Sequence, residues 1–297
     1  MMTTETLIRV KQKAIMLSIP ILWLQAAAAW DGSLNLEPTL NRNAILLFED
    51  FERIDFIKRW PAVPTGRVGA GVVSTPSDDV LTGNRSLYLS AKQGQHRSGG
   101  YVEYIPSTPV SDTAYMRLYL RLDKNFSMGT CNQLKLFGIR GGATLRNSYG
   151  DAGRRPNGHD KFSARVSIDR SQELHVYYYH PNQRGGWGDR AYCDGFFCSA
   201  SLETGKGHCL ELMLRPNTPR QNDGELAVWL DNERVIHLNT LRFRDSDAVK
   251  IRRFVIENYY GGGGRWNTSP QDQNTYIDNF VVSRARIGCL GKASIQE

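Results

Sequence analysis

Alternation of apolar and polar residues with a period of two constrains the fold of this chain more than any other feature. It runs through Met116–Leu122 and returns in Gln133–Gly138. Such alternation is typical of β-strands that bury one face. Further strands are predicted at 101–105, 161–165, 175–180, 208–214, 226–230, 249–256 and 276–283, with turn residues between them. No stretch carries a long helical period, so the sequence predicts an all-β chain that forms an antiparallel β-sandwich or jelly roll.

The N-terminus is predicted to be a secretory signal peptide over residues 1–29. Three basic residues at positions 9, 11 and 13 precede an apolar run from Ala14 to Leu24, and small residues follow up to Ala29. The run is too short to span a bilayer comfortably, so an uncleaved anchor is the weaker alternative. We therefore expect a secreted or periplasmic protein without stable membrane association, whose residues 30–297 form one domain and which is a monomer.

The five cysteines suit an exported protein, in which disulfides can form. Cys193 and Cys198 are predicted to close a short loop on themselves. At most one further pair can form among Cys131, Cys209 and Cys289, which leaves one thiol over. A zinc site is the weaker alternative, because no second closely spaced pair could complete a tetrahedral set.

The formal charge of +7 suits an acidic polymer as a partner, although ordinary surface charge would also explain it. The sequence shows no lysine-rich run and no basic helix, which argues against nucleic acid. The basic stretch from Gly141 to Asp160 is predicted to be a long loop. It could be a lid over an anionic chain or a surface insertion.

Polar side chains on four predicted strands indicate a binding groove. If these strands are neighbours, one face carries Arg117, Tyr119, Arg121, Gln133, Lys135, Ser163, Arg165, His175, Tyr177 and Tyr179. None of the ten is a carboxylate, whereas solvated faces usually mix both signs of charge. The tyrosines are also typical of contact surfaces. A plain solvated sheet face is the alternative.

The residue types on this face favour β-elimination from a uronate sugar. That reaction needs a cation to neutralise the carboxylate, a base for the C5 proton and an acid for the leaving O4. Arg165 can act as the carboxylate clamp. Tyr177, Tyr179, Lys135 and His175 are the candidates for base and acid. Glycoside hydrolysis needs two flanking carboxylates, and Ser163 lacks a nucleophile elbow, so both rival chemistries fit less well.

Several motifs resemble those of family 14 polysaccharide lyases, the alginate and glucuronan lyases. Residues 133–142, Gln-Leu-Lys-Leu-Phe-Gly-Ile-Arg-Gly-Gly, are similar to the family's K-L-P-G-L…G-G segment. Ser163-Ala164-Arg165 resembles its S-x-R strand, and Tyr177-Tyr178-Tyr179 its Y-x-Y strand. The segments 259–262, 269–270 and 276–280 resemble the F-x-G-G…S-P…Y-x-D-N-F pattern near the C-terminal end of the family's sequences. The likeness covers roughly residues 45 to 286 and departs from the family pattern at Phe137 and Ile139.

The resemblance implies a concanavalin A-like β-jelly roll whose concave sheet holds an anionic uronate polysaccharide. It implies catalytic roles for Lys135, Arg165, Tyr177 and Tyr179, a substrate-binding role for Ser163, and no required metal or other cofactor. His175, Arg117, Tyr119, Arg121 and Gln133 are added as substrate-binding candidates from their predicted face. A structural calcium between the acidic segment 48–52 and Asp278 is a weaker possibility. The functional alternatives are a lectin-like carbohydrate-binding module without turnover and a glycoside hydrolase.

Overall fold

A computed structural model describes residues 41–56, 71–74, 81–150, 152–193, 198, 200–262 and 266–289. The predicted signal peptide lies outside these ranges, and its removal stays a prediction. Within them, we find no helix with the length and apolar character that crossing a bilayer requires.

After a short 3-10 turn at Arg42–Ala44, all the longer regular elements of the described residues are strands. In chain order they are β1 (Ile45–Glu49), β2 (Gly71–Ser74), β3 (Arg85–Ala91), β4 (Arg97–Tyr104), β5 (Ala114–Leu122), β6 (Leu134–Gly142), β7 (Lys161–Ile168), β8 (Leu174–Tyr179), β9 (Asp189–Tyr192), β10 (Gly207–Arg215), β11 (Gly224–Leu230), β12 (Glu233–Leu241), β13 (Lys250–Tyr260) and β14 (Gln273–Ser283).

The strands form two antiparallel sheets. The six-stranded sheet has the order β4-β13-β6-β7-β8-β9. The eight-stranded sheet has the order β12-β11-β10-β5-β14-β3-β2, and β1 also pairs with β14. The inward residues of both sheets, among them Leu118 and Leu120 of β5 and Leu136 and Ile139 of β6, form one buried core. The predicted β-jelly roll is confirmed, because alternation along each strand gives every sheet one apolar face to bury.

All nine strands predicted from the sequence are present, most of them longer at one or both ends than predicted. The sequence analysis did not identify β1, β2, β3, β9 or β12. The reason is visible in β9 and β12: β9 has only four residues at a sheet edge, and β12 lies at the other sheet's edge with an exposed start at Glu233 and Arg234. Short or solvated edge strands bury few side chains and so carry a weak alternation.

Two disulfides are present in the described chain. Cys193 bonds to Cys198 as predicted, and Cys209 bonds to Cys289 as the one further pair. Cys131 keeps a buried thiol. The second disulfide ties the segment that follows β14 to β10 of the eight-stranded sheet.

The acidic residues considered for calcium bind backbone and hydroxyl groups. Glu49 Oε1 accepts a hydrogen bond from Phe51 N at 3.0 Å, and Asp278 Oδ2 accepts from Ser86 Oγ at 2.8 Å. Burial holds the pKa of Asp278 well above its usual value. Within the described ranges no group of three His, Cys, Asp or Glu side chains is arranged to hold a metal ion. The absence of a metal requirement stays a prediction.

Candidate active site

The register of β6, β7 and β8 places most of the predicted site residues on one surface. Ser163 of β7 pairs with Tyr179 of β8, and Arg165 pairs with Tyr177. On the other side of β7, Lys135 of β6 pairs with Ser167. Their chain neighbours, such as Leu134, belong to the core, so these side chains lie on the opposite side of the sheet. We call this surface of the six-stranded sheet the polar face.

The two tyrosines of β8 form a hydrogen-bonded pair. Their phenol oxygens lie 3.1 Å apart, and their rings meet edge to face with centroids 5.4 Å apart. Gly188 donates its backbone N–H to Tyr177 Oη at 3.1 Å. A Cβ at position 188 would lie 2.6 Å from the carbonyl oxygen of Tyr178, so only glycine permits this approach. This contact fixes the position of the Tyr177 phenol oxygen.

Lys135 brings a positive charge beside the tyrosines. Its Nζ lies 5.2 Å from the ring centroid of Tyr177 and 4.8 Å from that of Tyr259. The ammonium therefore lies within cation–π distance of both aromatic rings. Tyr259 was not among the predicted site residues. It reaches this place because β13, although late in the chain, pairs directly with β6, where Tyr259 lies opposite Lys135.

Arg165 is held between a hydroxyl and a carboxylate. Its Nη1 donates to Ser163 Oγ at 3.3 Å, and its Nε lies 2.9 Å from Oε1 of Glu257. The other oxygen of Glu257 accepts from Arg140 Nη2 at 3.4 Å. All three charged side chains are less than a tenth exposed. Glu257 therefore adds a carboxylate beside the ten polar residues considered in the sequence, none of which is acidic. It was missed because it comes from β13, a strand that the sequence analysis did not place beside β6.

The charged network continues towards the edge strand β4. The guanidinium of Arg140 lies 5.7 Å from the ring centroid of Tyr101, whose hydroxyl donates to Glu103 Oε2 at 2.8 Å. The other Glu103 oxygen pairs with Arg253 Nη1 at 2.5 Å. Burial raises the pKa of Tyr101. This phenol therefore stays protonated, and Tyr101 is not suited to act as a catalytic base.

His175 and Gln133 lie in the floor of the site. Their Nε2 atoms are 2.9 Å apart, and the imidazole stacks on Tyr192 with ring centroids 5.0 Å apart. Burial, reinforced by the charge of Arg190, lowers the pKa of His175 to about 4. The ring is therefore neutral at pH 7, and it has no exposed surface. These contacts fit a supporting role better than proton transfer.

The predicted placement of Arg117, Tyr119 and Arg121 beside the other candidates is wrong. These residues lie on β5, which pairs with β10 and β14 in the eight-stranded sheet. The guanidinium of Arg117 packs over the ring of Tyr119, with 4.8 Å between them. The chain crosses from one sheet to the other between β5 and β6, so strands that are consecutive in sequence are not neighbours in space.

The basic loop between β6 and β7 is fixed to β13 along its first part. Arg253 Nε donates to Ser148 Oγ at 2.8 Å, and Arg252 Nη2 donates to the carbonyl oxygen of Ala143 at 2.7 Å. The ring of Tyr149 lies over Arg253, 5.4 Å from the guanidinium. This part of the loop is therefore held in place against β13, at one end of the polar face.

The fold is that of known lyases of acidic polysaccharides. An alginate lyase from a Chlorella virus aligns with a TM-score of 0.61 and 18% identity, over 81% of this chain and 100% of that one. The marine alginate lyase of Aplysia kurodai aligns with a TM-score of 0.60 and 21% identity, over 73% and 87% of the two chains. The endo-β-1,4-glucuronan lyase of the fungus Trichoderma reesei aligns with a TM-score of 0.54 and 14% identity, over 81% of this chain and 96% of that one.

The sequence itself identifies the family. The profile of the family described as Polysaccharide lyase 14 matches residues 88–280, which include every residue of the site described above. A comparison with curated protein sequences gave no match. The chain belongs to the polysaccharide lyase 14 family, as its motifs predicted, and it is a polysaccharide lyase.

Proposed function

We propose that this protein is exported and cleaves an anionic uronate polysaccharide, alginate-like or glucuronan-like, by β-elimination on the polar face. The observation that carries the proposal is the hydrogen-bonded pair of Tyr177 and Tyr179 beside the ammonium of Lys135 and the guanidinium of Arg165. This set provides proton donors and acceptors together with the cation that a uronate carboxylate requires.

The reaction divides among these residues as follows. Arg165 neutralises the sugar carboxylate and thereby makes the C5 proton more acidic. One tyrosine, as phenolate, removes that proton, and the electron pair forms the C4=C5 double bond while the C4–O4 bond breaks. The other tyrosine, assisted by Lys135, protonates O4 of the leaving sugar. Ser163 positions Arg165 and the bound sugar, while Gln133 and His175 support the floor.

The proposed substrate class rests on the family and on the charge of the site. The aligned structures include two alginate lyases and a glucuronan lyase. Both kinds of polymer carry one carboxylate per sugar, which matches a site with basic residues at its centre. Export is supported by the two disulfides, since such bonds persist in oxidising compartments.

The test is ultraviolet absorbance of the unsaturated product, measured with alginate, polymannuronate, polyguluronate and glucuronan. We expect absorbance to rise with at least one polymer. Tyr179→Phe and Lys135→Ala should each lower kcat by about 10²–10⁴-fold, the range for loss of a general acid or base.

Tyr119→Phe, the same change on the eight-stranded sheet, is the matched control and should keep the wild-type rate. A protein that retains the polymer in a pull-down but gives no absorbance with any uronate would instead be a binding module.

A further inference from the structure

The loop between β8 and β9, residues 180–188, is held rigidly by one buried amide. Gln183 is only 1% exposed, and its Nε2 donates to the carbonyl oxygens of Gly185 at 2.8 Å and Trp187 at 3.0 Å. Its Oε1 accepts from His180 N at 3.0 Å. Three hydrogen bonds from one buried side chain fix the backbone that carries Trp187.

Trp187 exposes 62% of its surface at the top of this loop. Its indole lies against Gly153 of the basic loop, where a Cβ on the glycine would be 3.6 Å from the ring. A large apolar ring held in water by a rigid loop stabilises the fold little. Exposed aromatic surface of this kind more often marks a binding site, and a pre-organised loop lowers the entropy lost on binding.

Trp187 also stands next to the catalytic residues. The residue that follows it, Gly188, donates its N–H to the phenol oxygen of Tyr177. Both loops also carry exposed arginines: Arg154 and Arg155 follow Gly153 in the chain, and Arg184 lies in the loop 180–188. Arg154 is 3.9 Å from a carboxylate oxygen of Asp160. The indole therefore lies at the rim of the polar face, between two loops that carry exposed arginines.

We infer that Trp187 is a platform for a sugar ring of the bound polymer, at a subsite outside the pair of sugars that is cleaved. The apolar face of a uronate ring would stack on the indole, and the arginines of the two loops would face its carboxylate. Because the occupant is part of the same polymer, this inference rests on the proposed function. Binding energy gained at such a remote subsite can be used to align the reacting sugars.

The experiment compares substrate lengths. For Trp187→Ala we expect kcat/KM on the long polymer to fall about tenfold, and kcat/KM on a trisaccharide of the same uronate to stay within about twofold of wild type. Trp187→Phe should recover most of the loss, because a phenyl ring keeps a stacking surface. The matched control is Trp266→Ala, since Trp266 is 58% exposed but lies in the loop between β13 and β14, at the opposite end of the strands.

A binding measurement separates this inference from the proposed function. In the Lys135→Ala background, polymer should change the tryptophan fluorescence, and the added Trp187→Phe change should remove that signal. Three results would overturn the inference that Trp187 is a platform. Trp187→Ala could lose kcat/KM equally on polymer and trisaccharide, it could lose none on either, or Trp266→Ala could show the same loss. If the wild type cleaves no uronate polymer, the proposed reaction is wrong. The fluorescence titration with the same polymers then tests separately whether Trp187 binds a sugar.

Discussion

At the scale of single residues, the most informative contact is that between Arg165 and Glu257. The guanidinium that we propose to bind the substrate carboxylate is already 2.9 Å from a carboxylate of the protein, and Arg140 shares the same partner. Two buried cations without an anion would be costly to hold together. We interpret Glu257 as the residue that positions Arg165 while the site is empty of substrate.

Replacement of Glu257 by glutamine tests this role. The amide keeps the shape of the carboxylate but loses its charge, so Arg165 should be held less firmly while the net positive charge of the site increases. We expect kcat to fall about tenfold with no rise in KM, and the free energy of unfolding to fall by roughly 1–3 kcal/mol.

Steady-state kinetics with the cleaved polymer and urea unfolding would measure both effects. Glu225→Gln is the matched control, because Glu225 also contacts an arginine, Arg215, at 2.9 Å but lies on β11 of the other sheet. Unchanged kcat in Glu257→Gln, with wild-type stability, would show that Glu257 does not position Arg165.

At the scale of elements, the site depends on how closely β6 and β7 approach. Gly138 of β6 pairs with Arg165 of β7. A Cβ at position 138 would lie 2.3 Å from the carbonyl oxygen of Ala164 and 2.9 Å from Cα of Arg165. Real Cβ atoms do not approach backbone so closely, so the glycine is required for the contact between these two strands.

Gly138→Ala should therefore push β7 away and displace Arg165. We expect a loss of roughly 1–3 kcal/mol in the free energy of unfolding, together with a rise in KM for the polymer, because the carboxylate clamp moves. Thermal unfolding and kinetics would measure the two effects. Gly185→Ala is the control, since a Cβ at position 185 meets no atom within 4 Å; an equal effect of both substitutions would contradict this explanation.

The elements also show how far sequence reasoning extends. Alternation in 116–122 and 133–138 predicted which side chains enter the core, because a period of two is a local property of a strand. It could not predict that β5 and β6 belong to different sheets, since strand order depends on contacts between distant segments. Glu257 and Tyr259 were missed for the same reason. They enter the site through the pairing of β13 with β6, which leaves no local pattern.

At the scale of the whole molecule, the disulfide between Cys209 and Cys289 is far from the polar face. It lies on the eight-stranded sheet and spans a sequence separation of 80 residues. Closing so long a loop restricts the unfolded chain more than closing the five-residue separation between Cys193 and Cys198.

The double substitution of Cys209 and Cys289 by serine should thus lower stability without affecting catalysis. We expect the free energy of unfolding to fall by about 4 kcal/mol, roughly twice the loss for the corresponding Cys193 and Cys198 variant. Urea unfolding and kcat/KM, measured at a temperature where both variants are folded, would check this. A large drop in kcat/KM for the folded Cys209 and Cys289 variant would contradict the separation of the two faces.

The pairing order has a consequence for how this enzyme can change. Lys135, Arg165, Tyr177, Tyr179 and Trp187 all come from β6, β7, β8 and the loops that join them and lead into β9, which follow one another along the chain and pair in that same order. The eight-stranded sheet instead brings together strands from both ends of the described chain. A single short stretch of gene thus encodes most of the residues that we propose to carry the reaction. Substitutions within that stretch can change which polymer the enzyme cleaves, while the rest of the gene maintains the fold.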